Sequence, residues 1–151
     1  MPEWLGGRRT WGMRVLLSCW PAYGHLLPMM PLARAARRAG HEVVFASGRE
    51  MADVVEWQGF RFWDVGPAHA EAVERYREEH PDLAGLSPGE RITRDITGMF
   101  LPSAGPRAAD LVPLAMEWKP DLVVHEMSEV AGAISAAHTG ARHVVHGLGL
   151  F

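Results

Sequence analysis

The stretch MRVLLSCWPAYGHLLPMMPLARAARRAGHEVVFASG, residues 13–48, decides the fold. Arg14–Ser18 is a short apolar run of the kind that forms a strand buried on both faces. Residues 27–39 have the length and composition of a helix, and they stop at Gly40, the residue best able to adopt the left-handed conformation that closes a helix. Residues 42–46 then supply a second short β-branched run. Strand, helix and strand in that order are the sequence form of a βαβ unit, the building block of a parallel sheet.

The same alternation continues outward. Further strands are expected over residues 61–65, 121–125 and 143–146. A helix over 50–58 is closed by Gly59, and one from Pro106 to about Trp118 starts on a proline suited to a first turn and is stopped by Pro120. A small-residue helix over 128–139 is closed by Gly140. Right-handed crossovers turn this pattern into an α/β fold, a Rossmann-like doubly wound parallel sheet in the order 3-2-1-4-5. Residues 67–105 form a long excursion between the third and fourth strands, with a charged helix over 71–79 whose charges read as a solvated face. Residues 92–102 are apolar enough to be either core packing or a ligand wall. Residues 1–12 follow no period and are read as a disordered extension, which leaves residues 13–151 as one domain.

Composition narrows the function. The chain has 151 residues, 48% of them hydrophobic, enough for a sizeable core. Fifteen basic against eighteen acidic residues give a net charge of −3, too near neutral for nucleic acid or an anionic membrane to be the partner. The single cysteine, Cys19, forms no internal disulfide and no zinc site alone, which fits a reducing cytoplasm, and it reads as an inert small hydrophobe. The apolar run over residues 15–20 is too short for a signal peptide and stops at Pro21. His143 and His146, three apart on a strand, face opposite sides, so no metal is expected there.

Ligands of open parallel sheets bind outside the carboxyl ends of the strands where the strand order reverses. Here that place is the loop over residues 19–26 together with residues 126–128. His25 and Glu126 converge on it. An imidazole is the side chain best matched to take a proton at neutral pH, and a carboxylate on its other nitrogen fixes its tautomer and stabilises the cation formed. The bland alternatives are a loop histidine satisfied by backbone and a carboxylate capping the next helix. Gly24 lets the loop turn tightly, and His146 ends the fifth strand at the same crevice. Trp20, Tyr23, Met99 and Phe100 are apolar candidates for a ligand wall or for packing. The loop has neither a G-x-G-x-x-G nor a G-x-x-x-x-G-K-[ST] pattern, so neither a dinucleotide nor a P-loop site is indicated.

The run over residues 13–48, with its G-H-x-x-P element at Gly24, His25 and Pro28, closely resembles the opening of family-1 glycosyltransferases, especially the bacterial enzymes that decorate antibiotics and other natural products. EWKPDLVVHE at 117–126, followed by the small-residue helix and GARHVVHGLG at 140–149, is similar to a later strand of the same family and its neighbour. The resemblance implies a two-domain GT-B fold, of which residues 13–151 supply the N-terminal, acceptor-binding half, with the C-terminal donor-binding domain absent. It implies that His25 removes the proton of an acceptor hydroxyl as that oxygen attacks the anomeric carbon and inverts it. The supporting carboxylate falls on Glu126, where many relatives have Asp. No cofactor is implied; the nucleotide-sugar is a co-substrate bound mainly by the missing half, and the acceptor is a hydrophobic small molecule. The ending HGLGLF looks like a cut that exposes a sheet edge beside the fifth strand. Two rival readings are a noncatalytic binding module that keeps the crevice and one chain of a naturally split enzyme.

Overall fold

The computed structural model describes residues 12–147. Five strands form one parallel sheet: β1 (Arg14–Ser18), β2 (Glu42–Ser47), β3 (Arg61–Asp64), β4 (Leu122–Glu126) and β5 (Arg142–His146), in the order β3-β2-β1-β4-β5. This is the expected 3-2-1-4-5 sheet. β1 lies at its centre, with Leu16 opposite Val44 on one side and Val123 on the other. The expected extension lies, apart from Gly12, outside the described residues.

Alternation along the strands sorts the core into two layers. Val15 and Leu17 of β1, Phe45 of β2 and Val124 of β4 pack with Leu26, Met29, Met30 and Val55 on one face. Leu16, Val44 and Val123 point the other way, onto Ala108, Leu111, Ala115, Ala131 and Ala136. The first layer is built from α1 (Tyr23–Leu26), α2 (Met30–Arg38) and α3 (Ala52–Trp57). The excursion then contributes α4 (His69–Glu79) and α5 (Pro88–Asp95), and α6 (Leu101–Trp118) and α7 (Val130–Thr139) cover the second face.

Several element bounds differ from the sequence expectation, each for a local reason. The first helix begins at Tyr23 rather than residue 27 and runs as α1, a tight turn over Leu27–Met29, and α2. Pro28 and Pro31 lack the N–H groups that would carry one α-helical ladder through this region. α6 begins at Leu101, so Pro106 and Pro113 lie inside it rather than at its start. Each proline removes one helical hydrogen bond, and the buried stripe Ala104, Ala108, Leu111 and Ala115 holds the helix on the sheet despite that loss. β4 extends to Glu126, and α7 begins at Val130, capped by the Glu129 side chain through the Ala131 N–H. The excursion is mostly helical: α5 passes through a π-helical turn, Ile96–Phe100, directly into α6. α4 exposes most of its charges and buries Tyr76.

Candidate active site

Strand parity brings the predicted pair together. Glu126 shares the face of Val124, toward α1, and His25 sits on α1 next to Leu26, which anchors that short helix in the core. Nδ1 of His25 lies 3.1 Å from Oε1 of Glu126. The contact is close but lacks the geometry of a full hydrogen bond. Glu126 is fully buried, whereas the His25 side chain is 20% exposed. Because Nδ1 itself is buried, the accessible part of the ring is the remainder, which carries Nε2.

The carboxylate is held from three directions. Oε1 accepts the Trp20 backbone N–H at 3.1 Å, and Oε2 accepts the Ser128 N–H at 2.7 Å. Burial pushes its pKa up, but the His25 imidazole and these two N–H groups outweigh burial, so the carboxyl sits below the ordinary carboxylate range. Two residues expected only to border the crevice thus donate the hydrogen bonds that keep Glu126 ionised. The alternative role for Glu126, capping the next helix, belongs instead to Glu129.

Trp20 lies behind this pair rather than on an open wall. It is 2% exposed, its indole N–H donates to Nδ1 of His69 at 3.0 Å, and Phe100 meets its ring edge-on at 4.9 Å. Phe100 also stands 6.0 Å from the His25 ring. Phe100 also lines a hollow of about 200 Å³ together with Ile92, Asp95, Ile96, Leu101, Met127, Ser128 and Val130. Ile92, Ile96, Leu101 and Met127 are all exposed, so the hollow has an apolar rim, and Phe100 is the lining residue that also stands near the His25 ring. Residues 92–102 thus contribute Ile92, Asp95, Ile96, Phe100 and Leu101 to the lining of this hollow.

The remaining candidates fall elsewhere. Tyr23 is exposed at the start of α1. Gly24 makes no tight turn: it is a helical residue of α1, a Cβ there would meet nothing within 4 Å, and the chain bends before it, at extended Ala22. Met99 lines a different hollow with Pro67, Tyr76 and Pro102. His146 lies opposite Glu126 in register. Burial pushes the Cys19 thiol up to about 12, so it holds its proton at neutral pH. His125 points to the other face, where burial lowers its pKa, and its ring meets that of His143 at 5.7 Å. Among the described residues no three His, Cys, Asp or Glu side chains gather as a metal site.

One pair was invisible to sequence reasoning. Arg107 and Glu129 are 1% and 0% exposed and form an ion pair through Nε and Oε2. The other guanidinium nitrogens donate to the carbonyls of Val65 and Cys19, each at 3.1 Å. Burial raises the pKa of Glu129 in spite of Arg107. The available signal was an arginine within the small-residue stripe of α6, at a position that has to face the sheet.

Known proteins share this architecture. The family described as Erythromycin biosynthesis protein CIII-like, N-terminal domain, matches residues 34–151, and the chain belongs to that family. The L-demethylnoviosyl transferase of Streptomyces niveus is 39% identical over 139 residues, covering 91% of this chain and 35% of its own length. Among solved structures, the glycosyltransferase VinC in complex with dTDP is 31% identical with a TM-score of 0.72, over 91% of this chain and 35% of VinC. The glycosyltransferase SnogD from Streptomyces nogalater is 30% identical with a TM-score of 0.70, over 91% of this chain and 33% of SnogD. The sheet and its helices are those of the Rossmann-like N-terminal domain of GT-B glycosyltransferases. This chain spans about a third of the length of these relatives.

Proposed function

We propose that this chain is the acceptor-binding part of an inverting glycosyltransferase that moves a sugar from a nucleotide-sugar to a hydroxyl of a hydrophobic natural product. The observation that carries the reading is the 3.1 Å approach of Nδ1 of His25 to buried Glu126, with the imidazole partly exposed and its ring 6.0 Å from Phe100, which lines an apolar hollow. The names of the relatives, transferases of sugars, support the reaction class.

In this scheme Glu126 keeps the proton of His25 on Nδ1, which leaves the Nε2 lone pair facing the acceptor. Nε2 takes the hydroxyl proton as the oxygen forms its bond to the anomeric carbon. The bond from that carbon to the nucleoside diphosphate breaks, its electron pair leaves with the phosphate oxygen, and configuration inverts. The imidazolium formed is stabilised by the carboxylate already in place. In this reading the nucleotide-sugar is bound mainly by a donor-binding half, and the dTDP complex of VinC supports a nucleoside diphosphate carrier.

The test is product analysis with the chain joined to a donor-binding half, in cis or in trans. A nucleotide-sugar and an apolar alcohol or phenol should give a glycoside of inverted configuration. A retained configuration, or binding of the acceptor with no transfer, overturns the proposal, and the second outcome favours a noncatalytic module.

A further inference from the structure

The peptide group joining Cys19 to Trp20 is held at both ends by charged side chains that the proposed chemistry does not otherwise use together. Its carbonyl accepts from Nη2 of Arg107 at 3.1 Å and from Oγ of Ser47 at 2.9 Å. Its N–H, on Trp20, donates to Oε1 of Glu126 at 3.1 Å. That oxygen is the one facing His25. A cation on the carbonyl polarises a peptide group so that its N–H becomes a stronger donor, and in a buried setting the polarisation is poorly screened.

We infer that Arg107 is a positioning residue that acts through the Cys19–Trp20 peptide group on the Glu126 carboxylate, fixing its place and its charge. Its significance for catalysis rests on the His25 reading above; the structural relay does not.

The surroundings are built around this guanidinium. All three of its nitrogens are engaged: Nε with Glu129, Nη1 with the Val65 carbonyl at the end of β3, and Nη2 with Cys19 beyond the end of β1. One turn further along α6, Asp110 accepts the Gly66 N–H at 2.8 Å, so the helix grips the β3 end at two points. Gly66 has φ +76°, and a Cβ there would lie 2.4 Å from Cγ of Arg107. The guanidinium carbon also lies 5.8 Å from the Trp20 ring centroid. Arg107 thus reaches Trp20 through both backbone and ring, and its counter-charge comes from Glu129, which caps α7.

The proposal is tested on the full 151-residue chain by NMR, with no turnover required. Two readouts report the relay: the titration midpoint of the Glu126 side-chain carboxyl carbon, and the Trp20 amide proton shift. The double variant Arg107→Met/Glu129→Gln removes both buried charges together, and Gln retains an oxygen to cap α7. Gly66→Ala is the second perturbation, displacing Arg107 while removing no charge. In a folded variant the Trp20 amide should move upfield as its bond to the carboxylate weakens, and in Gly66→Ala, which keeps both buried charges, the Glu126 midpoint should also rise. A folded variant with both signals unchanged overturns the relay and makes the pair purely structural. If the double variant does not fold, Gly66→Ala decides by the same criteria. If neither folds, the relay is also overturned, because Arg107 then supports the fold as a whole. A relay confirmed here alongside a His25 variant of normal turnover would refute the catalytic reading and leave the relay intact.

Discussion

The Trp20 backbone N–H and Nδ1 of His25 approach the same oxygen, Oε1 of Glu126, each at 3.1 Å. Backbone and imidazole therefore meet on one buried carboxylate at the point where the strand order reverses. The loop after β1 and the end of β4 have to be placed together for this site to exist, so its geometry depends on the sheet.

That dependence makes acid sensitivity a prediction. The folded pKa of Glu126 lies below the ordinary value, so its contribution to stability is complete above the ordinary carboxylate pKa of about 4.3 and is lost as pH falls through the lower folded value. Glu126→Gln removes this contribution. Because two N–H donors then face a side chain with a single acceptor oxygen, it should also destabilise the chain by about 1–3 kcal/mol at neutral pH. Urea titrations across the acid range should show a flatter pH dependence in the variant. An unchanged profile would mean that the carboxylate is not preferentially ionised in the native state.

Phe100 separates wall from support. Phe100→Ala removes the edge-on contact with Trp20 and one side of the apolar hollow. The residue is half-buried, so the expected loss of stability is about 1–3 kcal/mol. In the complete enzyme KM for an apolar acceptor should rise more than kcat falls, and steady-state kinetics at varied acceptor concentration would show the split.

Cys19 should be silent while the chain is folded. Its thiol is buried and holds its proton up to about pH 12, so alkylation at neutral pH should await unfolding. Mass spectrometry after iodoacetamide treatment, with and without denaturant, checks this. Rapid labelling of native protein would contradict the burial.

The sheet order and the crevice were legible because the short apolar runs alternate with capped helices and crossovers are right-handed, which leaves few topologies. His25 and Glu126 were legible as types at strand ends, yet their convergence needed β4 to run through Glu126 so that its parity matched Val124. The start of α6 was misplaced because Pro106 suits a first turn, while the buried stripe through Ala104 and Ala108 continues ahead of it. Arg107 and Glu129 were not legible as a pair. They are 22 residues apart, one within α6 and the other capping α7, and charged residues are ordinarily solvated. Trp20 reads equally as ligand wall or as packing until His69 and Phe100, both from the excursion, close over it.

The most direct test of the central claim is turnover of His25→Ala in the enzyme formed with the donor half. General-base assistance is worth about 10² to 10⁴ in rate, so kcat should fall by that factor, with acceptor KM nearly unchanged because the apolar hollow is intact. A variant that retains kcat within a few-fold of the parent would contradict the account.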